Sequence, residues 1–169
     1  MAKNDRKSKP KKDSAKGKKS DSSDGASAAD RQLLADLNID LAHEYAAIIS
    51  YRTYASQVQG QWRMELRQFF EAEIPDELLH AQLLADKIVA LGGTPTTVPA
   101  PVKPAADAKE MLRNALEDEI ETIARYVARR KQAEALGHHG LAIDLDDLIQ
   151  DESGHRDEIK MVLRRWDSG

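Results

Sequence analysis

Cysteine is absent from the 169 residues, and with it go disulfides, iron–sulfur clusters, thiolate zinc sites and cysteine nucleophiles. A metal site in this chain has to be built from histidine and carboxylate. The absence also suits the cytoplasm, which is the expected location. Long apolar runs are missing as well. None approaches the ~18 residues needed to cross a bilayer, so no membrane partner is expected. The basic N-terminus has no apolar segment behind it, so the pattern of a secretory signal is not met. No stretch sustains a period-two alternation of apolar and polar residues, and no strands are expected. The length fits one ordinary domain with room for a tail.

What is present is unevenly spread. The net charge is −4, but residues 1–30 carry nine Lys and Arg against five Asp, a balance of +4 that leaves −8 for the remainder. Within residues 1–20 only Asp5 and Asp13 oppose those nine cations. Residues 1–29 hold no apolar side chain beyond Met1 and alanines. That is too little to offset the entropy of ordering, and it predicts a disordered tail. A basic arm on an acidic body points to a polyanionic partner. Lysine density suffices for binding a phosphate backbone, so residues 1–20 are expected to engage DNA; a solubilising tail is the alternative.

From Asp30 onward the apolar residues recur at helical spacing. Helix A is expected over residues 30–59, with Leu37, Leu41, Glu44, Ile48, Tyr51 and Ala55 on one face, and Gly60 ends it. Helix B carries Leu66, Phe70, Glu73, Glu77, His80, Leu84 and Leu91, and stops at Gly92-Gly93 before Pro95. Residues 92–106 contain four prolines and read as a long crossover from one end of a bundle to the other. Asp107 with Glu110 resembles a capping box opening helix C, whose stripe is Leu112, Leu116, Glu119, Ile123 and Tyr126. A turn over 134–140 leads into helix D, with Leu141, Leu145, Leu148, Glu152, His155, Ile159 and Trp166. The expected fold is therefore all-α: an antiparallel four-helix bundle over residues 30–169 with a long B–C crossover.

Two copies of Glu-x-x-His stand out, Glu77-Leu78-Leu79-His80 and Glu152-Ser153-Gly154-His155. At i, i+3 on a helix the carboxylate and imidazole share a face one turn apart, and both are good ligands for a divalent first-row metal. Glu44 lies 33 residues before Glu77, and Glu119 lies 33 before Glu152. Residues equidistant from a hairpin turn face each other. The midpoints of these pairs, 60.5 and 135.5, fall at the Gly60 break and at the edge of the Leu136-Gly137 turn. Both pairs then sit about 24 Å from their turns at 1.5 Å rise per residue. Tyr51 follows Glu44 by seven, as Tyr126 follows Glu119, so the two hairpins read as one unit used twice, with a pseudo-two-fold between them.

Four carboxylates and two imidazoles in a bundle core need counter-charge, because carboxylates sharing a site cannot all ionise and an unpaired buried ion costs several kcal/mol. Two divalent cations supply it. The set then comprises terminal Glu44 and Glu119, bridging Glu77 and Glu152, and one imidazole per metal from His80 and His155. Oxygen and imidazole donors suit iron or manganese; zinc binds such donors but has no redox chemistry.

The segments LNIDLAHEYAAIISYRTYA, EIPDELLHAQLLADKIVALGGTP, MLRNALEDEIE and QDESGH resemble those of bacterioferritins and their relatives, over residues about 31–166. The resemblance implies a ferritin-like bundle with a dinuclear iron ferroxidase site on Glu44, Glu77, His80, Glu119, Glu152 and His155, with Tyr51 beside it. It implies two Fe per subunit, oxidation of Fe(II) by O2 or H2O2, and storage of Fe(III) mineral in an oligomeric cage. Three features depart from the family. Leu78 stands where bacterioferritins have their haem-ligating Met, so no haem is expected. About 14 residues follow His155, too few for the fifth helix of the 24-subunit cages. Pro75 sits inside helix B, where it is expected to kink or bulge the backbone. The short C-terminus and the lysine-rich arm resemble the dodecameric, DNA-coating mini-ferritins, the Dps-like group, in a branch that carries its site within one subunit. A dodecamer is thus expected ahead of a 24-mer, and a 24-mer ahead of a dimer. A di-metal enzyme without storage, a rubrerythrin-like peroxidase or a manganese catalase, would need the same six ligands.

Other polar and aromatic residues draw blander readings. His43 is read as a surface histidine, His138 and His139 as exposed turn residues, and Trp62 and Trp166 as packing or interface residues. Tyr126 is read as core packing. Glu73, one turn before Glu77, is either a relay for iron or a solvated carboxylate.

Overall fold

The computed structural model describes residues 27–166. Four helices account for its regular structure: α1 (Ala28–Gln57), α2 (Arg63–Ala90), α3 (Ala108–Ala135) and α4 (His139–Trp166). No strand occurs among the described residues. The tail expected over residues 1–29 lies, up to residue 26, outside the described residues.

The helix starts follow local chemistry. Ser27 caps α1 through a reciprocal pair: the Asp30 amide donates to Ser27 Oγ at 3.0 Å, and the Ser27 amide donates to Asp30 Oδ2 at 3.1 Å. Asp107 caps α3 by accepting from the Glu110 amide at 2.9 Å, while the Glu110 carboxylate reaches back one residue beyond the cap, to the Ala106 amide, at 2.6 Å. At the end of α3, Gly137 takes a φ of +79°, a left-handed conformation that a side chain would resist. α2 remains α-helical from end to end across Pro75, without the expected bulge. α1 stops at Gln57, two residues short of the expected end, and α4 begins two residues earlier than Leu141.

α1 packs along α2 and α3 along α4, and the two hairpins meet mainly through α1 and α3. The crossover of residues 91–107 runs beside α1 in the same direction. It is held by the Thr96 amide on Asn38 Oδ1 (2.6 Å), the Ala100 amide on the Ala42 carbonyl (2.7 Å) and the Tyr54 hydroxyl on the Lys103 carbonyl (2.8 Å). That return along the bundle makes α1 and α3 antiparallel, so Asp40 meets Arg129, Glu44 meets Tyr126, and Tyr51 meets Glu119.

The core is split in two. One apolar cluster gathers Leu33, Leu37, Leu41, Leu84, Ile88 and Leu145. The other gathers Tyr54, Val58, Leu66, Phe70, Leu112 and Ile159. Burial of these side chains drives bundle formation, at about 1.5–3 kcal/mol for each large one. Between the clusters along α1 lies a polar layer containing Glu44, and the long helices carry the other expected ligands to the same level.

Candidate metal centre

All four helices contribute to this layer. Glu44 (α1), Glu77 and His80 (α2), Glu119 (α3) and Glu152 (α4) are buried, and His155 (α4) is half-buried. Glu44, Glu77, His80 and Glu152 each offer a ligand atom within 4.8 Å of the others, and so do Glu77, Glu119, Glu152 and His155. The two groups share Glu77 and Glu152. The structure thus brings the six expected residues together as two overlapping four-donor sets with two common carboxylates.

The imidazoles present their Nδ1 atoms inward. His80 Nδ1 lies 3.1 Å from Glu152 Oε1, 3.6 Å from Glu44 Oε2 and 3.8 Å from Glu77 Oε2. His155 Nδ1 lies 3.2 Å from Glu152 Oε2. The two rings are stacked with centroids 6.1 Å apart. Their outer Nε2 atoms face carboxylates across the bundle: His80 faces Asp151 at 3.6 Å, and His155 faces Asp76 at 3.6 Å and Glu73 at 3.3 Å. Each Glu-x-x-His is therefore preceded by an Asp that serves the histidine of the other copy.

Two tyrosines hold the terminal carboxylates. The buried Tyr51 hydroxyl donates to Glu119 Oε1, and the buried Tyr126 hydroxyl donates to Glu44 Oε1 at 2.5 Å. Burial, reinforced by these carboxylates, pushes both phenols well above their ordinary values, which keeps them neutral donors.

The charge balance shows what the cluster lacks. Burial pushes Glu77 and Glu119 well above the usual carboxylate range; Glu44 and Glu152 add to the effect on Glu77, and Glu152 and Glu77 to that on Glu119. Burial opposes a charge on His80, but Glu152, Glu44 and Glu77 outweigh it and hold the imidazole protonated. His155 is raised in the same way, its burial overcome by Glu152. Burial also resists ionisation of Glu152, yet hydrogen bonds from His155 and His80 pull it down to about 2. Protons held on Glu77, Glu119, His80 and His155 thus offset negative charge in the cluster. Glu44 Oε2 is buried and accepts no hydrogen bond. An orphaned carboxylate oxygen among imidazole nitrogens and carboxylates is the donor chemistry of a divalent iron or manganese site, so the residues fit a pair of such cations.

Some residues depart from their sequence reading. Tyr126, read as core packing, is buried but bonds Glu44; the signal was its place in the repeat, seven after Glu119 as Tyr51 is seven after Glu44. Glu73 is only 9% exposed, so it is not a solvated carboxylate. His43 is partly exposed, as a surface histidine can be. His138 is half-buried, 3.4 Å from Asp30 Oδ1, whereas His139 is exposed. Trp62 and Trp166 line an apolar groove with Phe69 and Val162 at one end of the bundle. Sequence reasoning missed Asp40, one turn before Glu44. This fully buried carboxylate accepts from Arg129 Nε at 2.7 Å, and Arg125 Nε lies 3.7 Å away.

The comparisons agree with this architecture. A family model described as a ferritin-like domain matches residues 34–168. A crystal structure of ferritin-like, diiron-carboxylate proteins from Bacillus anthracis is 48% identical, with a TM-score of 0.80, and the match covers 82% of this chain and 99% of that one. Dps from Thermosynechococcus elongatus (22% identity, TM-score 0.76, 80% and 92% covered) shares the fold. So does Dps from Vibrio cholerae (19%, 0.75, 80% and 91%). No curated protein matches the chain. A family match spanning most of the bundle, a near-full-length relative among diiron-carboxylate proteins and a buried Glu/His cluster with two shared carboxylates place this chain in the ferritin-like family.

Proposed function

We propose that the protein is a ferroxidase that takes two Fe(II) ions as substrate at Glu44, Glu77, His80, Glu119, Glu152 and His155, and stores the Fe(III) formed. The observation that carries this reading is the pair of overlapping donor sets sharing Glu77 and Glu152. In it Glu44 and His80 serve one ion, Glu119 and His155 the other, and Glu77 and Glu152 bridge. The iron supplies the electrons. Two Fe(II) give one electron each to O2, which takes up two protons and leaves as H2O2, or to H2O2, which takes up two protons and leaves as two waters.

The chain's own contribution is positional and protonic. Tyr51 and Tyr126 aim the terminal carboxylates by hydrogen bonds that fix Oε1 of each and leave Oε2 for the ion. Binding of cations displaces the protons held on Glu77, Glu119, His80 and His155, so loading releases protons and tightens as pH rises. The apolar clusters on either side exclude bulk water and raise the strength of every charge interaction inside.

An oligomeric cage, with a dodecamer ahead of a 24-mer, supplies the enclosed space for mineral. It is supported by exposed apolar side chains on the bundle exterior, among them Met64, Leu79, Ile143 and Met161. The lysine-rich residues 1–20 add non-specific DNA binding to the same assembly, by charge alone. No helix among the described residues is long and apolar enough to cross a membrane. Aerobic oxidation of Fe(II), followed optically, tests the assignment: Glu77→Ala should lose at least tenfold in rate, and a variant as fast as wild type sinks it.

A further inference from the structure

The two hairpins repeat at a spacing of 75 residues: Glu44 with Glu119, Tyr51 with Tyr126, Asp76 with Asp151, Glu77 with Glu152, and His80 with His155. Around the centre the repeat fails at informative places. Glu73 has Leu148 as its counterpart, and Asp40 has Ala115. Glu73 is 9% exposed and places Oε2 3.3 Å from His155 Nε2. Leu148, 3% exposed, is packed in the apolar cluster on the other side. Asp40 brings no net charge, since it and Asp36 are balanced by Arg125 and Arg129. It closes the Glu44 side instead, by tying α1 to α3. On the Glu119 side a cavity of about 10 Å³ lies among Tyr51, Glu77, Asp118, Glu119, Thr122 and Glu152, the room a single water-sized body needs.

We infer that the two cation positions are inequivalent, with the Glu119–His155 position filling first and more tightly because Glu73 adds a second carboxylate behind the imidazole on that side alone. This rests on the two-metal reading given above. A carboxylate on the outer nitrogen makes a ligating imidazole more basic and fixes its orientation. His155 has two such carboxylates, Glu73 and Asp76, where His80 has only Asp151. The cavity beside Glu119 also lets that position keep a water or accept a further ligand. The Glu44–His80 position, with every residue of its donor set buried, loads second.

An anaerobic titration of the full-length assembled protein with Co(II), followed by its visible absorption, reads this directly. Two resolved steps are expected. Glu119→Ala should abolish the tight one and Glu44→Ala the weak one. Glu73→Leu, which restores the repeat, should weaken the tight step about ten- to hundredfold, the range for losing a group that supports a metal ligand, and leave the weak step in place. Glu73→Gln keeps the size and hydrogen-bonding capacity without the charge and should behave as Glu73→Leu. Two ions binding in one step would overturn the inequivalence, and the tight step vanishing in Glu44→Ala, or wild-type titration by either Glu73 variant, would overturn its assignment to Glu73; each leaves the two-metal reading standing. A wild-type protein that binds no Co(II) would overturn both.

Discussion

Glu152 is the residue on which the metal-free centre turns, because it alone accepts from both imidazoles, His80 at 3.1 Å and His155 at 3.2 Å. Its neighbours titrate in the opposite sense. Glu77 and Glu119 hold protons above their ordinary 4.5, and His80 and His155 above their ordinary 6.5. Above those unfolded values the native state therefore binds more protons than the unfolded chain, and metal-free stability falls as pH rises. Glu152 contributes the reverse, a stability lost as pH falls from 4.5 toward about 2. Thermal melts of the metal-free protein should thus drop between about pH 5 and 8, with the trend removed or reversed by divalent metal, since loading displaces the same protons. Tyr126→Phe strips the bond to buried Glu44 Oε1 and should cost about 1–3 kcal/mol in denaturant unfolding, the penalty for an unsatisfied buried acceptor. The six donors were legible in the sequence because each is a charged or imidazole residue in an apolar stripe. Tyr126 was marked only by its place in the repeat, because a phenol in such a stripe looks like packing until its partner on another helix is known.

Helix pairing explains which contacts sequence spacing reveals. Within a hairpin, distance from the turn sets the register, so the facing of Glu44 with Glu77 and of Glu119 with Glu152 could be read from equal separations of 33. Between hairpins no such ruler exists, because the register of α1 against α3 depends on how the crossover lies along α1. Asp40–Arg129 is such a contact, and its buried pair was invisible in one dimension. Asp40→Ala leaves Arg129 with Asp36 as its remaining carboxylate and should destabilise by about 3–5 kcal/mol, the cost of breaking a buried pair. The double variant Asp40→Ala/Arg129→Met should recover much of that loss in the same unfolding assay. Gly93 marks a close approach: a Cβ there would lie 2.7 Å from Leu34 Cδ2 and 3.0 Å from Ile88 Cγ2. Gly93→Ala should cost about 1–3 kcal/mol, as overpacking does.

At the scale of the whole molecule, the all-α bundle and its long crossover were readable from helical periodicity and four closely spaced prolines. Copy number was not, since an exposed apolar residue such as Met64 or Leu79 looks the same in one dimension whether or not a second copy covers it. Native mass spectrometry should find twelve copies of the chain. Deleting residues 1–20 should abolish DNA mobility shifts without changing that mass, because nine of the 25 cations of the chain lie there. The central claim, that the two Glu-x-x-His motifs on α2 and α4 build one two-iron centre, is tested most directly by the stoichiometry of the fast phase of aerobic Fe(II) oxidation. Two Fe(II) oxidised rapidly per chain, falling to none in the Glu77→Ala/Glu152→Ala double variant, is the predicted result; a fast phase that consumes one Fe(II) per chain, or that survives loss of both shared carboxylates, would contradict it.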